Sequence, residues 1–95
     1  MLTAFSLSRS EHDYLASVIA RYYECAGIRV TGIDMIQLYI IDYMKYFHLR
    51  GKVRYGTLDG NVVYVITARG SNVTRKLRRL RELLLTLAKS GDPGC

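Results

Sequence analysis

The residues most able to do chemistry in this chain are its cations. Between Tyr43 and Arg81 stand ten bases, Lys45, Arg50, Lys52, Arg54, Arg69, Arg75, Lys76, Arg78, Arg79 and Arg81, against one acid, Asp59. Residues 1–42 hold three arginines against five acids, so the excess behind the net charge of +6 lies in one segment. Solubility alone favours mixed signs, whereas a concentrated positive field suits a polyanion. Arg and Lys reach phosphate oxygens, and Arg also bonds guanine bidentately in the major groove. A solvated basic face and an anionic lipid surface are the competing explanations.

Other chemistry is thinly represented. There is no Gly-rich phosphate loop and no pair of carboxylates at useful spacing, so an enzyme is not expected. His12, His48, Cys25 and Cys95 lack the clustered spacing of a zinc site, and no metal or other cofactor is expected. Cys25 reads as a small core residue. Cys95, terminal and unpaired by any motif, could join Cys25 or form an intermolecular disulfide between two subunits. No apolar run approaches the ~20 residues a bilayer needs, and the N-terminus lacks the pattern of a signal peptide. The expected setting is the cytoplasm, or a host's cytoplasm if the chain is viral. Only three amide residues occur, Gln37, Asn61 and Asn72, a depletion that fits a thermophile.

The elements that must position the cations read as a single α+β domain over residues 1–95, with residues 1–7 as an N-terminal arm. Ser8 and Glu11 form a capping box for a helix from Arg9 to Cys25, closed by Gly27. Its apolar face is Tyr14, Leu15, Val18, Ile19 and Tyr22. Ile28–Val30 is a candidate short strand. A second start signal, Thr31 with Asp34, opens a stretch from Ile33 to about Leu49 that has no Gly or Pro and reads as a central core helix. Lys52–Leu58 and Asn61–Thr67 are strands joined by Asp59-Gly60, the turn pair that tolerates φ > 0 at both positions. A two-residue loop pairs Val53 with Ile66 and Tyr55 with Tyr64. It buries the face of Val53, Tyr55, Val62, Tyr64 and Ile66, and exposes Lys52, Arg54, Gly56, Val63 and Val65. A last helix over 71–89, capped by Ser71 or Asn72, carries Val73, Leu77, Leu80, Leu84 and Leu87 at heptad spacing. In so small a chain the expected partner for that seam is a second copy, the alternative being the domain's own core. Residues 90–95 read as a flexible tail.

Phe47–Val53, the Asp59-Gly60 hairpin and the turn Tyr64-Val65-Ile66-Thr67-Ala68-Arg69-Gly70 resemble the end of the recognition helix, the wing and the wing exit of winged-helix transcription regulators. The C-terminal helix is similar to the dimerisation helix of the PadR and MarR types. The chain also resembles small winged-helix proteins encoded by viruses of hot-spring archaea. The resemblance implies a winged-helix domain that binds double-stranded DNA as a homodimer and regulates transcription. The family places two helices before its wing, so Thr31–Gly51 is either a compressed pair joined near Ile41-Asp42 or one fused helix. In the first case Asp42–Arg50 would be the recognition helix, offering Tyr43, Lys45, Tyr46 and His48.

The nucleic-acid-binding candidates are therefore Lys45, His48, Arg50, Lys52, Arg54, Arg69, Arg75, Lys76, Arg78 and Arg79. The dimerisation candidates are Val73, Leu77, Leu80, Leu84 and Leu87. Two other functions fit the same residues: a non-specific or architectural binder, including one for RNA, and a protein-interaction module using the leucine seam. No small-molecule ligand and no membrane partner is implied.

Overall fold

The computed structural model describes residues 1–90, in the order β1 (Leu2–Ser8), α1 (Arg9–Cys25), α2 (Met35–Tyr46), β2 (Arg50–Leu58), β3 (Asn61–Arg69) and α3 (Val73–Ser90). It is an α+β arrangement of three helices and one antiparallel sheet with strand order β1-β3-β2. The tail, with Cys95 and the cross-link expected of it, lies outside the described residues.

Turn chemistry builds the hairpin as expected. Asp59 and Gly60 adopt φ of 52° and 80°, and the register pairs Val53 with Ile66 and Tyr55 with Tyr64. Strand alternation then sends Val53, Val62, Tyr64, Ile66 and Ala68 into the core, whereas Tyr55, expected among them, stays 49% exposed. The supposed N-terminal arm is instead a strand. β1 lies antiparallel along the whole of β3, from Leu2↔Thr67 to Ser8↔Asn61, so β2–β3 is no free two-stranded wing. Its alternating Thr3, Phe5 and Leu7 share the inner face, and Phe5, Tyr64 and Tyr55 stack across the three strands with ring centroids 5.4 and 5.5 Å apart.

The first helix starts where its capping box puts it. Ser8 Oγ accepts from the Glu11 N–H, and the Ser8 N–H donates to Glu11 Oε1. Leu15, Val18 and Ile19 are buried, whereas Tyr14 and Tyr22 remain 47% and 44% exposed and Cys25 lies on the surface, not in the core. Residues 28–30 form no strand. The second helix is one helix, shorter than expected, with no break near Ile41-Asp42. Its cap is Asp34, which accepts from the Gln37 N–H at 2.9 Å, and not Thr31. It ends before His48, which takes φ of 58°, with His48 N–H bonded to Lys45 O and Leu49 N–H to Met44 O. That pair of bonds is a Schellman closure, usually completed by glycine.

The largest correction concerns α3. Leu77, Leu80, Leu84 and Leu87 are buried in this chain's own core, at 1–9% exposure, and Val73 is half-buried against it. The seam packs alongside α1 and is no longer available to a second copy. A heptad spacing reports an apolar stripe, and here the stripe is covered from within. Tyr43 Oη donates to Lys76 O at 2.6 Å, and Lys76 Nζ donates to Phe47 O at 2.8 Å, fastening α3 to the end of α2.

Candidate nucleic-acid interface

Alternation along β2 places Arg50, Lys52 and Arg54 on the sheet face opposite the core, and the pairing Arg50↔Arg69 sets Arg69 beside them. The rest of this outer face is Gly56 and Leu58 of β2, Asn61, Val63, Val65 and Thr67 of β3, and Leu2, Ala4 and Ser6 of β1. Every one of these residues is exposed or half-buried, so no helix covers the face. The four cations line one shallow depression with Val65 and Thr67. Lys45, in the last turn of α2, joins Arg50, Lys52 and Arg54 around a second depression at the β2 edge.

No acid occurs in any of the three strands. Among the described residues, none of Arg50, Lys52, Arg54 and Arg69 makes a salt bridge. Arg50 and Arg69 are direct cross-strand partners, an arrangement of like charges that costs stability until an anion neutralises it. The face also lacks aromatic side chains. Single-stranded nucleic acids are gripped largely by base stacking on such rings, so phosphate contacts are what this face offers.

The remaining candidates are dispersed. His48 is exposed in the turn between α2 and β2, where its left-handed backbone closes the helix. Arg75 and Arg78 border a depression at the β3–α3 turn with Gly70 and Asn72. Arg78 and Arg81 line a cleft between α3 and β1. Arg79 lies 3.5 Å from Glu82 and is close enough to Tyr39 and Tyr43 to favour their ionised forms, partly offsetting burial. Lys76 leaves the set, because its half-buried ammonium is held by Phe47 O.

One constellation was invisible in the spacing. Asp34 Oδ1 accepts from Tyr64 Oη at 2.8 Å, and Asp34 Oδ2 lies 3.0 Å from His12 Nε2, while His12 Nδ1 lies 3.0 Å from Asp13 Oδ1. Both imidazole nitrogens face carboxylates, an arrangement that the doubly protonated ring satisfies. Burial opposes that charge on His12, but the hydrogen bonds and charges of Asp13 and Asp34 outweigh it and raise the pKa. Burial likewise opposes ionisation of Asp34, and the Gln37 N–H, His12 and Tyr64 together hold its pKa below the usual value. Burial first, then the Asp34 bond, push the Tyr64 hydroxyl up. The main surface depressions are not lined by these three residues, and no group of three ligands among the described residues could hold a metal. The cluster is a pin joining α1, the start of α2 and the sheet.

No helix among the described residues is long and apolar enough to cross a membrane. No family model, no curated protein and no solved structure matches this chain.

Proposed function

We propose that this chain is a duplex-DNA-binding regulator of transcription that meets the phosphate backbone with the outer face of its sheet. The observation that carries this is four cations that make no salt bridge among the described residues, on one open face built from strands that contain no acid. The hairpin followed directly by α3 supports kinship with winged-helix proteins. Within that kinship this chain is a variant: β1 flanks the wing, one helix stands in place of two, and the sheet takes over from a recognition helix.

Fluorescence anisotropy with a labelled random duplex tests it. Each phosphate contact adds about 0.9 to the slope of log affinity against log salt, which near 0.15 M amounts to roughly fivefold in affinity. Replacing Arg50, Lys52, Arg54 and Arg69 together by Ala should flatten the slope by about 3.6. An unchanged slope would remove the sheet face from the interface. Selection of a preferred duplex from a random pool separates a regulator from an architectural binder, since the latter enriches nothing.

A further inference from the structure

We propose that the groove where α1, α2 and α3 meet binds a small organic cation, an ammonium or phosphonium centre carried on an aromatic or alkyl body. Helical spacing builds its wall. Tyr39, Tyr43, Tyr46 and Phe47 follow at three- and four-residue steps along one side of α2, and Tyr22 and Tyr23 join them from the end of α1. Six of the ten aromatic side chains in the sequence thus line one concavity of about 730 Å³, together with Leu83 and Leu87 of α3. The rings support one another: the Phe47 centroid lies 4.5 Å from that of Tyr43 and 5.0 Å from that of Tyr46. Tyr46 is nevertheless 77% exposed. Apolar side chains scattered on a surface are ordinary, but a contiguous set around a hollow of this size marks a place where something binds.

In a chain of net charge +6, the one charged group lining this groove among the described residues is a carboxylate, Asp42. Its Oδ2 accepts from Tyr23 Oη at 2.6 Å, and its Oδ1 has no hydrogen-bond or ion-pair partner among the described residues. The cations nearest in sequence do not line the groove. Arg21 lies 3.9 Å from Glu24, and Arg79, whose charge is felt by Tyr39 and Tyr43, lies 3.5 Å from Glu82. Lys45 lines the depression at the β2 edge, and Arg29 is exposed in the connection beyond α1.

That combination selects the charge of the occupant. A ligand covering the groove takes water from Asp42, and burying a carboxylate is costly unless a positive partner replaces that water. The rings act in the same direction, because an aromatic face attracts a cation, and more strongly once the cation is desolvated. Phosphate-bearing ligands are disfavoured by the same carboxylate. Sites that stack the bases of single strands combine their rings with basic side chains, and the lining of this groove holds none. The volume falls within the range of about 300–1,000 Å³ usual for small-molecule sites, which favours a compact ligand over a polymer. None of Arg50, Lys52, Arg54 and Arg69 lines the groove, so the site does not depend on the sheet face or on its proposed function.

Titration of the wild type with tetraphenylphosphonium, without nucleic acid and followed by amide NMR shifts, tests the site separately from DNA binding. The amides of the α1 end, of Tyr39–Phe47 and of Leu83–Leu87 should shift together and saturate with a Kd of about 10–100 µM. Tetraphenylborate has the same shape and the opposite charge, and it should leave those amides unmoved even where arginines attract it elsewhere. Tyr46→Ala removes an exposed ring and should weaken tetraphenylphosphonium binding about tenfold. Asp42→Asn keeps an acceptor for Tyr23 Oη, removes the charge and should weaken binding about fivefold. The comparison of the two probes on the wild type decides the matter even if a variant does not fold. The proposal is overturned if tetraphenylphosphonium gives no saturable shift below about 1 mM, if tetraphenylborate moves the same amides as far, or if either folded variant binds as tightly as the wild type. It is overturned too if those amides shift with protein concentration alone, which would give the groove to a second copy.

Discussion

Asp34→Ala tests how the helices are locked to the sheet. The carboxylate caps α2 through the Gln37 N–H, accepts the hydroxyl of fully buried Tyr64 and pairs with His12, and its own side chain is 8% exposed. Losing an N-cap costs about 1 kcal/mol. A buried hydroxyl left without an acceptor costs about 1–3 kcal/mol, and a hydrogen bond to a charged group contributes about 1.5–3 kcal/mol. Not all of these add, since His12 keeps Asp13 and water can enter, so the expected loss is about 4 kcal/mol. Asp34→Asn keeps on its one carbonyl oxygen the cap and the acceptor for Tyr64, but turns an amide NH2 toward His12 Nε2, so it gives up the charge and the acceptor for protonated His12 and should cost about 1–2 kcal/mol. Urea unfolding followed by circular dichroism at pH 5.5 reads both values. The pH dependence follows from the directions of the shifts. The raised His12 pKa contributes stability that is complete below the ordinary histidine value of 6.5 and is lost as pH rises through the raised value. The lowered Asp34 pKa contributes stability present above 3.8 and lost as pH falls through the lowered value. Wild-type stability should therefore peak between these limits and fall on the alkaline side, and Asp34→Asn should weaken that fall without abolishing it, because Asp13 remains. An Asp34→Ala variant within 1 kcal/mol of wild type would refute the pin.

Leu84→Ala should destabilise by about 2–5 kcal/mol, by the same amount at every protein concentration in urea unfolding, because the cavity opens inside one chain; a loss that vanishes on dilution would restore the seam to a dimer. Gly51→Ala should cost more than about 3 kcal/mol in the same assay, since a Cβ there would stand 1.7 Å from the backbone oxygen of Thr67. His48→Gly should raise the unfolding free energy by about 1 kcal/mol by relieving the left-handed backbone, and if duplex affinity is unchanged, His48 serves the helix end only.

The parts of the fold legible in sequence are those that local chemistry determines. Asp59-Gly60 needs no distant residue to make its turn, and once the turn exists the period of two decides which face Lys52 and Arg54 occupy. Ser8 and Glu11 satisfy one another three residues apart. β1 was illegible because its pairing partner is supplied by β3, beyond two intervening helices and a strand, and its serines and threonine blur the alternation. The pin was hidden for the same reason: Asp34 meets His12 across 22 residues and Tyr64 across 30, and only the assembled sheet and helices close those gaps.

The basic helix α3 carries the same lesson for function, because equal charges in sequence acquire different duties once packed. Lys76 and Arg75 are neighbours, yet Lys76 is turned toward Phe47 O while Arg75 stays on the surface. The lysine supplies the positive charge that the carbonyl end of α2 favours, and Tyr43 returns a bond to the backbone of the same residue. That reciprocal fastening holds the α2–β2 turn against α3, and Lys45, Arg50 and Lys52 are spaced around that turn. A substitution at Lys76 that weakened DNA binding would thus act by loosening the cations on β2, and its signature would be lost stability together with lost affinity. Arg54, which makes no salt bridge among the described residues, should lose affinity alone.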